Sequence, residues 1–270
     1  MHPMNYRTIF TVVNEHTVST VAGHYAIALA AAGPSRLVLY SALQKEASTA
    51  SIHRAERHLE QLFKEASTLA LPVTRITESG LITRLLPLRA DAEHTDLVLY
   101  PLTPDEQYHN LLRQQPVHTL LRSIRSDLAI MRIIHMGKPH PRRILVPLGR
   151  IVAEPAPRIR FIAALHASFH GGVILFHLAA DTLPESTPRD ITLFRSELHR
   201  HHVATLERFA TGHIGRGITA EAATGRNDLI VLGASERSIL RQLFYGNPAG
   251  DVMHQPPCNA ILFRAGRQPS

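Results

Sequence analysis

The segment NDLIVLGASERSILRQLFYGNPAGDVMHQPPCNAILFR (227–264) decides the fold. Its opening run of apolar, β-branched residues reads as a buried strand ending at Gly233. A loop follows, with a short amphipathic turn through Ile239, Leu240, Leu243 and Phe244. Gly246-Asn247-Pro248 predicts a helix start, since Asn is a favoured N-cap and Pro suits the first helical position. Pro256 and Pro257 stop that helix, and a last strand runs over 258–264. The free N–H groups and positive dipole end of such a helix suit an anion. Gly233 and Gly246 let the backbone come close to a phosphate chain, and Arg237 and Arg241 can neutralise it.

Outward from this segment, the chain repeats itself. NDLIVLGA (227–234) matches TDLVLYPL (95–102) at an offset of 132, and the match holds without a gap to CNAILFR (258–264) against SDLAIMR (126–132). At an offset of 135, RILVPLG (143–149) matches TIFTVVN (8–14), and GVILFH (172–177) is similar to RLVLYS (36–41). Two copies of one domain follow, over residues 1–137 and 138–270, each of ordinary domain size with its own medium core. The joint IHMGKPHPRR (134–143) contains Gly137, Pro139 and Pro141 and reads as a linker.

Within copy one, strands are predicted over 8–13, 36–41, 72–77, 96–101 and 127–133, with helices over 18–32, 44–70, 80–92 and 116–124. Copy two runs the same way, with a shorter second helix near 189–200. Continuous apolar strands alternating with helices predict an α/β fold: a parallel five-stranded sheet in each domain, covered on both faces. The layering is flavodoxin-like, and a ligand crevice is expected beyond the carboxyl ends of the strands. The last strands, AIMRII (129–134) and AILFR (260–264), look like edges that need covering. Pairing them with each other packs the copies as an intramolecular pseudo-twofold dimer. A further homodimer stays open.

Composition narrows the function. The chain has 270 residues, 44% of them apolar, which excludes disorder. Its formal charge is +7, from 29 basic and 22 acidic residues. Only Lys45, Lys64 and Lys138 are lysines. Residues 138–270 carry 16 basic and 10 acidic side chains, against 13 and 12 in residues 1–137. The arginines are scattered, Trp is absent and aromatics are 6%, so no nucleic-acid partner is expected. The longest apolar runs, 21–33 and 171–180, are too short for a membrane span. MHPMNYR lacks the order of a signal peptide, so a cytoplasmic protein is expected.

On these residues the chain resembles the universal stress protein family. Nucleotide-binding members of that family carry G-x-x-G-x9-G followed by Ser or Thr. Gly233 and Gly246 match the first and third glycines, Glu236 stands at the second, and Asn247 stands at the Ser/Thr. QPPCNAILFR is similar to the family's helix-to-last-strand junction. RRILVPLG is similar to its first strand, with Gly149 where the family's Asp binds adenine. His177 ends the second strand, where the family often has His. The resemblance implies an adenine nucleotide (ATP, ADP or AMP) held in copy two by Pro147, Gly149, His177, Gly233, Ala234, Ser235, Arg237, Arg241, Gly246 and Asn247. It implies a stress or regulatory protein that signals to a partner. The GAS…GN variant further resembles domains associated with membrane transporters. In copy one Pro101, Pro104, Gln114, Gln115 and Asn14 replace Gly233, Glu236, Gly246, Asn247 and Gly149, so no nucleotide is expected there. The alternative is a nucleotide-free tandem scaffold, again with a membrane transporter as one partner class.

Enzyme readings find little support. GASER lacks the second glycine of G-x-S-x-G, and no Walker A sequence is present. Neither a general base nor a metal-ligand set is evident, so a non-enzymatic protein is expected. His166 and His170 have a metal-compatible i, i+4 spacing but no acidic residue between them, and no metal site is expected. Cys258, the single cysteine, reads as a core thiol.

Overall fold

The computed structural model describes residues 6–104, 115–137, 140–149, 155–179, 187–234 and 248–267. The first half contains β1 (Thr8–Val12), α1 (Thr17–Ala31), β2 (Arg36–Leu43), α2 (Thr49–Thr68), β3 (Val73–Ser79), α3 (Ile82–Ala92), β4 (Leu97–Pro101), α4 (Gln115–Ser123) and β5 (Asp127–Arg132). The second contains β6 (Arg143–Leu148), α5 (Pro155–Phe169), β7 (Gly172–Ala179), α6 (Arg189–Arg200), β8 (Thr205–Thr211), α7 (Ile214–Thr224), β9 (Leu229–Ala234), α8 (Pro248–His254) and β10 (Asn259–Arg264).

The strands form one ten-stranded sheet in the order β3-β2-β1-β4-β5-β10-β9-β6-β7-β8. Each half is parallel throughout, in the order 3-2-1-4-5. Right-handed crossovers that step outward from the first strand cover one face, and those that step back cover the other. Accordingly α1, α2, α5 and α6 bury apolar residues on one side of the sheet, and α3, α4, α7 and α8 on the other. The central strands are buried along their length, as a sheet covered on both faces requires.

Predicted and observed elements agree within a few residues, with one instructive difference. The helix expected over 44–70 begins at Thr49. β2 continues to Leu43, and the Ser48 hydroxyl caps the helix by accepting the Ser51 N–H at 3.1 Å. From there Ala55, Leu59, Leu62 and Ala66 form the buried stripe.

The halves join where β5 and β10 pair antiparallel. The register places Ile130 opposite Leu262, Leu128 opposite Arg264 and Arg132 opposite Ala260. At the repeat offset of 132, Leu262 is the counterpart of Ile130, so the pseudo-twofold axis passes through that pair. The symmetry extends to hydrogen bonds. Asp96 Oδ2 accepts from the N–H groups of Arg7 and Thr8, and Asp228 Oδ2 accepts from those of Arg142 and Arg143. Asp127 and Asn259, which open β5 and β10, each bind the chain just beyond the opposite strand. Asp127 Oδ1 accepts from Gly266 N at 2.6 Å, and Asn259 Oδ1 from Ile134 N at 2.8 Å and His135 N at 2.9 Å.

This junction corrects the expectation of one core per copy. Both cores run through both halves: Leu39, Leu99, Val146 and Phe263 share one face, and Phe10, Ile130, Phe176 and Leu262 share the other. The division follows the two faces of the sheet, because the β5–β10 pairing makes that sheet continuous.

Candidate functional site

The crevice of an open α/β sheet lies where neighbouring strands depart in opposite directions, here between β6 and β9. These two strands pair at Ile144↔Leu229 and Leu145↔Ile230. Beyond that point a side chain from α5 joins them. Arg158 Nη2 donates to the carbonyl oxygens of Pro147 and Val231, each at 2.8 Å. Its guanidinium stands 5.9 Å from the centre of the Phe194 ring on α6. Arg158 is 8% exposed, and Nε has no hydrogen-bond partner among the described residues. Burial pushes its pKa down to about 10, so it stays charged at neutral pH.

Gly233 is where this guanidinium meets the end of β9. A Cβ on residue 233 would sit 2.9 Å from Arg158 Nη1 and 3.1 Å from Cζ. Glycine is therefore required here by close approach. Gly149 is exposed just past β6, and Pro147 is half-buried. His177 lies opposite Leu148 in the β6–β7 register and is buried. Its Nδ1 lies 3.3 Å from the Leu148 carbonyl oxygen, and its ring meets Phe209 edge-on at 5.9 Å. Ala234 is half-buried and pairs with Arg264. The crevice thus draws Pro147, Gly149, Gly233 and Ala234 to the carboxyl ends of β6 and β9, with His177 on the neighbouring strand. Ser235, Glu236, Arg237, Arg241, Gly246 and Asn247 lie outside the described residues. The helix expected after them begins at Pro248.

The first half is built differently at the same positions. Pro101 is buried, and the next residue, Leu102, donates its N–H to Met131 O at 2.8 Å, seaming β4 to β5. Asn14, the counterpart of Gly149, turns its Oδ1 back to accept the His16 N–H at 2.9 Å. Its carbonyl oxygen accepts the Ser19 hydroxyl, and His58 Nδ1 of α2 lies 2.8 Å from it. At the repeat offsets, Arg158 and Phe194 correspond to Gly23 and Leu62. There Leu62 packs against the place where a Gly23 Cβ would stand, an apolar contact in place of a cation.

Residues 141–264 match the sequence profile of the universal stress protein family. The match spans nearly all of the second half of the chain. The two-half fold is shared with a universal stress protein from Archaeoglobus fulgidus DSM 4304, at a TM-score of 0.70 and 11% identity over 98% of this chain and 99% of that one. A protein from Pseudomonas aeruginosa UCBPP-PA14, described under the same family name, aligns at a TM-score of 0.67 and 13% identity over 97% and 94%. The cytoplasmic domain of a prokaryotic cation chloride cotransporter aligns at 0.62 and 8% over 97% and 96%. At these identities the likeness concerns the fold. No curated protein sequence matches the chain.

Within the matched segment, Arg158 is the feature that motif reading missed. The repeat carried a signal for it: an offset of 135 sets this arginine against Gly23. His166 and His170 lie apart in role. His166 Nδ1 is 2.9 Å from the Gly171 carbonyl oxygen, while His170 has left the helix at a φ of 52°. Cys258 is buried, and burial pushes its thiol up to about 12, as a core thiol requires. No helix among the described residues is long and apolar enough to cross a membrane.

Proposed function

We infer that the chain is a non-enzymatic, cytoplasmic regulatory protein of the universal stress type, binding an adenine nucleotide in its second half and presenting the bound state to a protein partner. The observation that carries this reading is the asymmetry of the two crevices. Gly233 is exposed at the end of β9, whereas its counterpart Pro101 is buried, although both are laddered to the last strand of their half. This difference supports a ligand in the second half, with residues 1–137 as its structural companion. ATP, ADP and AMP share the adenosine and phosphate that such a crevice fits. A membrane transporter is the partner class we name, in keeping with a fold shared along 97% of the chain with a transporter's cytoplasmic domain.

Thermal melts of the full chain with ATP, ADP and AMP test the reading, together with mass spectrometry of co-purified small molecules. Ligand at a hundredfold excess over its Kd adds about 2.7 kcal/mol, which raises Tm by roughly 5–10 °C. No shift with any of the three, and no co-purified nucleotide, refutes it in favour of the nucleotide-free scaffold. Release of phosphate on incubation with ATP would refute the non-enzymatic part alone.

A further inference from the structure

Arg158 presents a problem that the fold does not impose. A buried guanidinium needs its five N–H groups satisfied and its charge answered. Nη2 meets two carbonyl oxygens, Nε meets nothing, and no carboxylate pairs with the group among the described residues. The first half folds with Gly23 and Leu62 at the equivalent places, so neither β-strand divergence nor helix packing requires a cation. Nη1 faces Gly233, the crevice residue whose missing side chain lets the guanidinium edge approach the exposed end of β9. On the other side, Gly149 brings no side chain that could read a base.

We propose that Arg158 makes the second crevice an anion site, and that its ligand is a phosphate-bearing molecule held chiefly by its phosphate rather than by its base. The inference deepens the nucleotide reading and rests on it for the base alone. The same chemistry fits the phosphate of a nucleotide and a free polyphosphate. A planar guanidinium offers paired N–H groups to phosphate oxygens, which a lysine ammonium cannot reproduce.

Isothermal titration of the full chain with AMP, adenosine and inorganic pyrophosphate tests this, using wild type, Arg158→Met, Arg158→Lys and Gly233→Ala. The expected result is that AMP or pyrophosphate binds wild type, adenosine binds at least tenfold more weakly than AMP, and Arg158→Met loses at least tenfold in anion affinity. Arg158→Lys falls between. Gly233→Ala, which drives a methyl against Nη1, weakens the anion several-fold. Circular dichroism establishes folding, and if the Met variant fails to fold the Lys and Ala variants decide by the same criterion. Adenosine binding as tightly as AMP, with the variants unaffected, overturns the inference and leaves the nucleotide reading standing. Arg158-dependent pyrophosphate binding without AMP binding supports the inference and removes the nucleotide. Anion binding that is equal in wild type and variants, or absent from wild type, overturns it.

Discussion

Replacing Asp127 with alanine is expected to destabilise both halves at once. Asp127 opens β5 and is 3% exposed. Its Oδ2 accepts the Tyr6 hydroxyl at 3.0 Å and Arg160 Nη2 at 2.6 Å, and its Oδ1 accepts Gly266 N. Tyr6 comes from the first half, Arg160 from α5 and Gly266 from beyond β10. The Arg160 guanidinium also lies 4.6 Å over the Tyr6 ring. Alanine would leave a largely buried guanidinium without its carboxylate, and a buried hydroxyl and an amide without an acceptor. Breaking such a pair by removing one partner costs about 3–5 kcal/mol. For a chain of this size that lowers Tm by roughly 6–20 °C. Because both cores cross the junction, urea denaturation followed by circular dichroism is expected to show one transition, displaced to lower urea. Asp127→Asn keeps an acceptor for Gly266 and costs less. Adding Arg160→Met to Asp127→Ala restores part of the loss, since the uncompensated charge is gone. A cost below about 1 kcal/mol, or additive effects of the two substitutions, would refute the reasoning.

Three further outcomes follow from local geometry. Gly171→Ala places a Cβ 2.5 Å from the Pro141 carbonyl oxygen, a backbone atom that cannot swing aside. A loss of about 1–3 kcal/mol is expected in denaturant titration, and a neutral substitution would refute a steric requirement for glycine at 171. Ser48→Ala removes the α2 cap and costs about 1 kcal/mol, read as a shift in urea midpoint at constant slope. Burial raises the pKa of Tyr6, Tyr25, Tyr40 and Cys258, the last to about 12. Their stabilisation is complete below their unfolded pKa values, near 8.5 for Cys and 10 for Tyr, and is lost as pH rises through the folded ones. Arg158, pushed down, acts in the opposite sense but is one group against four. Stability measured between pH 8 and 11.5 should therefore fall with pH, and a rise would contradict these burials.

The strands were legible because each carries its own evidence: apolar β-branched runs bounded by turn residues leave little choice. The edge pairing was legible too, since AIMRII and AILFR are too apolar to face water. Sharing of the cores was harder to read, because a face of a sheet belongs to no single stretch of sequence. The Asp127–Arg160 link was invisible for a related reason. Its partners are 33 residues apart and stand in different copies, and the counterparts at the repeat offsets are of other types, Asn259 and Tyr25. Pattern reading finds what the copies have in common. Arg158 and Arg160 lie where they diverge, and the alignment of RIRF against GHYA held that divergence in plain view.

The antiparallel junction also limits what the molecule can become. Single-domain chains with a bare fifth strand can zip together through it, but here β5 and β10 have consumed each other's hydrogen-bonding groups. The remaining sheet margins are β3 and β8, at opposite ends. Both are laced with charge: Arg75 on β3 pairs with Glu60, Glu78 on β3 with Arg89, and Glu207 on β8 with Arg195. Ion pairs of this kind turn strand margins away from further strand addition. The valence of the central edge is therefore satisfied within one polypeptide, and any larger assembly must grow from the helical layers or the crevice loops.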